Sequence, residues 1–165
     1  FEVPFFTEII DKLNAEHIIL NVLTPEITID SAIKRLLKYE KSTFSIPIQI
    51  SKEIEFLASH FYELKESQTE EICKLKPTTI EQIISHKKLE LDTEDQLLTF
   101  INELYSINQK EYSTFYEHIC FTNVSSQKMV EFISLFDIEN MNNGTWTSLC
   151  DRLCRELIES NSKSY

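Results

Sequence analysis

The sequence predicts a mainly α-helical fold, a bundle or short array of amphipathic helices with at most one short strand near the N-terminus. Apolar residues recur at helical spacing through residues 51–133, and the linkers between these segments are only a few residues long. The chain has one glycine, Gly144, where average usage of about 7% would place roughly a dozen. Because glycine supplies left-handed turns and phosphate-binding loops, its scarcity disfavours hairpin-rich β folds, Rossmann folds and P-loops.

The first 50 residues predict two helices and the one short strand. VPFFTEIIDKLN has helical apolar spacing behind Pro4, which a first helical turn tolerates. EHIILNV is β-prone, and it predicts either a short strand or a buried extended link. The second helix lies in TPEITIDSAIKRLLKYE, with an apolar face formed by Ile29, Ala32, Ile33, Leu36 and Leu37. Pro47 prevents a helix from crossing the loop that follows.

Three helices are predicted between residues 51 and 85. Ser51 is a candidate N-cap for a helix that buries Ile54, Leu57, Ala58, Phe61 and Leu64. Two capping boxes, Ser67 with Glu70 and Thr78 with Glu81, predict the next two helices, which Pro77 separates. Neither of these two helices has enough apolar residues to be stable alone, so both must dock on neighbouring helices. Their apolar residues are Ile72, Leu75, Ile80, Ile83 and Ile84.

Four further helices follow. Asp92 or Thr93 caps a longer one that buries Leu97, Leu98, Ile101, Leu104 and Tyr105. The next carries Tyr112, Phe115, Tyr116 and Ile119, and Ser125 or Ser126 starts another that carries Met129, Val130, Ile133 and Phe136. Beyond Gly144 an uninterrupted apolar stripe predicts an amphipathic helix with Trp146, Leu149, Cys150, Leu153, Cys154 and Leu157. Residues 161–165 are predicted to be a frayed tail.

Charge and cysteine content exclude several classes of function. Lys and Arg total 16 against 27 Asp and Glu, which gives a net charge of −11 with no basic stripe. Nucleic acid and anionic membrane are therefore not expected partners, because both need cations on the protein. The four cysteines, without a visible signal sequence, predict reduced thiols in the cytoplasm, with the nucleus as the alternative. Since the first residue is Phe1, we expect the sequence to be part of a longer chain.

Residues with reactive or metal-binding side chains have competing interpretations. Cys150 and Cys154, with Cys120 and His118, are one possible zinc set, but both helical cysteines lie on the apolar stripe, which favours core packing. Glu94 and Asp95 are either an acid–base pair or first-turn residues that oppose the helix dipole, and the second is favoured. The remaining thiol is Cys73. The other histidines are scattered along the sequence, which favours solvated positions or positions at helix ends for them. They are His17, His60 and His86.

Three aromatic residues are candidate binding anchors. Trp146 continues a helical stripe, so core packing is favoured for it. For Phe5 and Phe6 the choice is open, because adjacent helical positions cannot both face one core. The sequence thus predicts no catalytic, metal-binding or cofactor-binding residue and no cofactor, and it does not identify the partner-binding residues. We expect the protein not to be an enzyme.

Four short patterns resemble the BACK domain that follows BTB domains in adaptor proteins, of the divergent kind found in single-celled eukaryotes. They are an aromatic residue followed by Glu-Leu, an I-L-S-x-x-x-L-like segment, an acidic helix start and an aromatic-x-x-V-S step. The matching residues are Phe61, Glu63 and Leu64; Ile83, Ile84, Ser85 and Leu89; Glu94, Asp95 and Leu97; and Phe121, Val124 and Ser125. The resemblance covers residues 51–133, and residues 1–50 resemble the C-terminal half of a BTB domain more weakly.

The resemblance implies a non-catalytic spacer and docking module. It divides the chain into a BTB-like part, residues 1–50, a BACK-like helical domain, residues 51–160, and the tail. The implied partners are other proteins, a cullin ubiquitin-ligase scaffold or a recruited substrate, and homo-oligomers would form through an upstream region. The alternative is an α-solenoid scaffold unrelated to ubiquitin ligation, for which the sequence shows no convincing fixed-period repeat.

Overall fold

A computed structural model describes residues 27–41 and 50–162, with side chains up to residue 158. Within these ranges the chain forms eight α-helices and no β-strand, which confirms the mainly α-helical prediction. The predicted helix behind Pro4, the candidate strand at residues 18–22 and the loop containing Pro47 lie outside the described residues, as do His17, Phe5 and Phe6.

The α-helices are joined by short linkers and 3₁₀ turns. Their bounds are α1 Ile29–Lys41, α2 Ser51–Ser59, α3 Glu66–Ile72, α4 Pro77–Ile84, α5 Glu94–Ile107, α6 Gln109–Tyr112, α7 Ser126–Leu135 and α8 Asn143–Ser162. The 3₁₀ segments are Phe61–Glu63, Ser113–His118, Phe121–Asn123 and Ile138–Asn140. The region from Tyr112 to Ile119, predicted as one helix, is therefore mostly 3₁₀, although its four predicted apolar residues are all buried.

One continuous hydrophobic core runs from α1 to α7. The predicted inward faces of α1 to α5 are confirmed, with Ile29, Leu37 and Leu64 left partly exposed. Toward the C-terminal side the core is aromatic, and neighbouring ring centroids are 4.9–5.6 Å apart. These rings join α5, the 3₁₀ segments and α7, and they belong to Tyr105, Tyr116, Phe121, Phe132 and Phe136.

Three predicted helix starts are wrong, since each helix begins at or before the residue that was expected to cap it. α2 follows Ile50, which makes no side-chain cap, so Ser51 is inside the helix. α3 begins one residue before Ser67, and the Gln68 side chain accepts the backbone N–H of Lys65 at 3.1 Å. The third, α4, begins at Pro77, which places Thr78 inside its first turn.

The start of α4 is stabilised from another helix. The Glu40 carboxylate, at the end of α1, accepts the backbone N–H of Lys76 at 3.0 Å and the Thr79 hydroxyl at 2.5 Å. A carboxylate at this end also opposes the helix dipole. In contrast, the predicted cap at Ser125 is confirmed, since its hydroxyl accepts the backbone N–H of Lys128 at 3.3 Å.

The only glycine serves close packing and not a turn. Gly144 is the second residue of α8, and no described residue has a positive φ. A Cβ at this position would lie 2.8 Å from the Cβ of Glu117. Glycine therefore allows the start of α8 to approach the Ser113–His118 segment.

Candidate partner-binding groove

Helix α7 is apolar on two sides, and the structure buries only part of the predicted set. Met129 of that set is buried and Phe136 is partly buried, together with Phe132, which was not predicted. Val130 and Ile133 of the predicted set are exposed. Both sets of positions have helical spacing, and the aromatic core selects the set that contains Phe132, whose ring stacks on Phe136 at 5.0 Å. Val130 and Ile133 are left as an apolar surface without a described neighbour to cover it.

Helix α8 is attached to the body by polar side chains, which makes the predicted apolar stripe wrong as a core face. Ser148 donates to the carbonyl of Ile119 at 2.7 Å and accepts the N–H of Phe121 at 3.2 Å. The Arg152 guanidinium donates to the carbonyls of Phe121 and Val124, at 2.8 and 2.5 Å. Residues 119–124 are not α-helical and leave backbone groups unpaired, so a polar face satisfies them better than an apolar one.

This orientation turns the apolar stripe of α8 outward. Trp146 is 55% exposed and Leu153 54% exposed, and Leu157 is also exposed, so the predicted core packing of Trp146 is wrong. Cys154, predicted to pack in the core, is exposed as well, whereas Cys150 is partly buried. The signal that sequence reasoning missed is the row of polar residues at spacings of 3 and 4 on the same helix, Thr145, Ser148 and Arg152.

Between the two helices lies an apolar groove of about 530 Å³. Its lining includes Phe132, Phe136 and Leu149, with Ile133, Trp146 and Leu153 among the exposed side chains. We call it the α7–α8 groove. Large aromatic and aliphatic side chains of this kind dominate the binding energy of protein interfaces.

The surroundings of the groove are acidic. Residues 126–158 contain five acidic and three basic side chains. Lys128 pairs with Glu131 at 2.5 Å and Arg152 pairs with Glu156 at 2.8 Å. The range keeps a net negative charge, which favours a partner that carries basic residues beside its apolar ones.

The zinc set that the sequence analysis weighed and disfavoured, Cys120, Cys150, Cys154 and His118, does not form a group of possible metal ligands among the described residues. Cys73 is partly buried and Cys120 exposed, and burial raises the pKa of the Cys73 thiol to about 11. Among the described residues, the one group of three possible metal ligands is Glu81, Glu117 and His118, which contains no thiol. His118 therefore has different neighbours from those that the sequence suggested.

Glu94 and Asp95 lie in the first turn of α5, as predicted, but their role extends beyond the helix dipole. Glu94 accepts the backbone N–H of Cys120 at 2.7 Å, and Asp95 accepts the backbone N–H of Ser125 at 2.8 Å. Burial is the main cause that raises the pKa of Glu94, which the Cys120 hydrogen bond partly opposes. The two carboxylates thus hold the segment before α7 in place.

The other two described histidines lie at helix ends, as predicted. His60 follows α2, where its Nδ1 lies 2.9 Å from the carbonyl of Phe56 and its ring stacks on that side chain. His86 follows α4, and its Nδ1 accepts the backbone N–H of Lys88 at 3.2 Å. Both side chains therefore have local structural contacts.

Comparison with known proteins found no matching family model, no similar curated protein and no similar solved structure. In the part of the chain that the structure describes, no helix combines the length and apolarity needed to cross a membrane. Inference about function therefore depends on the geometry of the described residues, and the α7–α8 groove gathers four of their exposed large apolar side chains.

Proposed function

We propose that this chain is a non-catalytic protein–protein interaction module whose α7–α8 groove binds an amphipathic helix with a basic polar face. One observation carries the proposal. Of the nine large apolar side chains that are exposed in the described part, seven lie in α7, α8 and the turn between them: Val130, Ile133, Ile138, Trp146, Leu153, Leu157 and Ile158. Four of the seven, Ile133, Ile138, Trp146 and Leu153, line the groove itself. Scattered exposed apolar residues are ordinary, whereas apolar residues gathered around one groove are typical of an interaction site.

A helix is the occupant that fits this shape. Two helices flank the groove, and a third helix laid between them presents side chains at positions i, i+3 or i+4, and i+7 to its apolar lining. Trp146 on one side and Ile133 on the other give such a helix an anchor at each edge. The net charge of −11 favours association with a basic partner and repels acidic ones.

Trp146 is the only tryptophan, so its fluorescence reports directly on the groove. The probe is a synthetic amphipathic Leu/Lys peptide of about 18 residues, five helical turns, without aromatic residues. We expect a saturable blue shift of Trp146 emission. A scrambled peptide of the same composition and a Leu/Glu amphipathic peptide should both produce a much weaker shift.

The chain offers a matched control for this experiment. Ile133→Asp places a charge in the groove, whereas Ile107→Asp places one on an equally exposed isoleucine elsewhere, since the two residues are 68% and 67% exposed. We expect Ile133→Asp to abolish the blue shift and Ile107→Asp to preserve it. Equal responses of the two variants, or of the ordered and scrambled peptides, would refute the proposal. A blue shift that depends only on protein concentration would mean that a second copy occupies the groove.

The broader role follows as part of the same proposal. The resemblance of residues 51–133 to a BACK domain supports an adaptor that presents a bound partner, a substrate or a cullin scaffold. In the alternative, an α-solenoid scaffold, helices of the same polypeptide cover the exposed stripe of α8, which includes Leu153 and Leu157. Acrylamide quenching of Trp146 in the chain with its native flanking sequence separates the two. Strong protection without any partner would favour the solenoid.

A further inference from the structure

Three side chains with metal-binding atoms converge on the side of α4. One ligand atom from each of Glu81, Glu117 and His118 lies within 4.8 Å of the other two. The Nε2 of His118 is 3.8 Å from the Oε1 of Glu81, which is too long for a hydrogen bond. This nitrogen is shielded from solvent and has no hydrogen-bond partner among the described residues.

The positions of all three side chains are set by the fold. Glu81 is on α4, which is packed into the core through the buried Ile80, Ile83 and Ile84. Glu117 and His118 end the Ser113–His118 segment, where the absence of a side chain at Gly144 lets α8 pack against Glu117. The convergence therefore arises from packed elements and does not depend on a mobile loop.

The chemistry of this trio differs from that of an ordinary surface pair. Ionised carboxylates only accept hydrogen bonds, and the shielded Nε2 of His118 lies beside them outside hydrogen-bond range. In the tautomer that carries its proton on Nδ1, this nitrogen and the two carboxylates present three lone pairs that one cation would bind. One imidazole with two carboxylates is a donor set that suits Zn²⁺ and neighbouring divalent transition metals better than Ca²⁺ or Mg²⁺.

We propose that Glu81, Glu117 and His118 form a binding site for a divalent transition-metal ion, for which Zn²⁺ is the probe. In a tetrahedral zinc site the ligand atoms lie about 3.4 Å apart, given metal–ligand distances of about 2.0–2.2 Å. Small side-chain rotations bring the three atoms from their present separations to that geometry. The ion would join α4 to the Ser113–His118 segment, and it would stabilise the folded chain because it binds only there.

Isothermal titration with Zn²⁺ alone tests the site, and visible absorption of Co²⁺ reports on its coordination. We expect one ion per chain and a thermal midpoint that rises with Zn²⁺ concentration. His118→Gln and Glu81→Gln should each weaken binding at least about tenfold, the lower end of the losses measured when the support of a metal site is removed. His86→Gln, a histidine outside the trio, should leave binding unchanged.

Thiol binding is the main competing explanation, because Cys120 and Cys154 are exposed. A Cys120→Ser/Cys154→Ser variant should retain the site, since neither thiol belongs to the trio. Absence of stoichiometric Zn²⁺ binding would overturn the proposal, as would binding that survives His118→Gln but is lost in the cysteine variant. The site is independent of the groove, so His118→Gln should not alter the response of Trp146 to the peptide.

Discussion

At the scale of single residues, the most consequential interaction is an ion pair that the sequence pattern did not reveal. Arg35 on α1 and Glu53 on α2 are 8% and 4% exposed, and their side chains are 3.3 Å apart. One oxygen of Glu53 has no hydrogen-bond partner among the described residues. Breaking such a pair leaves a buried charge without compensation, which costs more than the intact pair contributes.

We therefore expect Arg35→Met to lower the free energy of unfolding by about 3–5 kcal/mol. The double variant Arg35→Met/Glu53→Leu should recover much of that loss, because it removes both charges. Urea denaturation of the two variants and of Glu53→Leu completes the double-mutant cycle. A single-variant cost below about 1 kcal/mol, or a double variant no more stable than Arg35→Met, would contradict this account.

At the scale of elements, apolar periodicity predicted where helices form better than which side they bury. The inward faces of α2, α4 and α5 follow from their sequences because each has one apolar side. α7 has two apolar sides, and either could be buried. α8 has one apolar and one polar side, and either could pack against the body. Which side is buried therefore depends on neighbours that are remote in sequence. One helix start failed for the same reason: Glu40 stabilises the start of α4 from 36 residues away.

The start of α5 yields a prediction about pH. Burial raises the pKa of Glu94 in the folded protein above its ordinary value of 4.5, so the folded state holds the proton to higher pH than the unfolded state. The stability that the Glu94 carboxyl contributes is therefore fully present below its pKa in the unfolded state. This contribution is lost as the pH rises through its pKa in the folded protein. In the Glu94→Gln variant the side-chain amide oxygen can still accept the backbone N–H of Cys120, but position 94 no longer has a group that titrates.

We expect Glu94→Gln to flatten the decline in stability as pH rises from about 4.5, measured by urea denaturation at a series of pH values. Glu139→Gln, at an exposed position in the turn before α8, is the matched control and should keep the wild-type profile. If Glu94→Gln and the wild type decline in parallel, the buried carboxyl does not control this part of the profile.

At the scale of the whole molecule, the sequence predicted the fold class but not the α7–α8 groove. Composition and helical spacing were sufficient for an all-helical core, since they depend on local properties. The α7–α8 groove could not be predicted, because it exists only where Ser148 and Arg152 bond the 119–124 backbone and turn Trp146 outward. The proposed metal site likewise joins Glu81 to Glu117 and His118, which follow it by 36 and 37 positions, and no sequence spacing connects them.

The continuity of the core predicts how the molecule unfolds. α1 precedes the BACK-like region, yet it packs against α2 and α3, and Ile33 belongs to the same buried cluster as Leu104 of α5. Ile33→Ala and Leu104→Ala should each cost about 2–5 kcal/mol and lower the midpoint of one shared transition. Far-UV circular dichroism and Trp146 fluorescence should report that transition together, because loss of α1 exposes core residues that the later helices also need. A separate early transition in Ile33→Ala, seen by circular dichroism but not by Trp146, would instead show that α1 and its neighbours unfold as an independent unit.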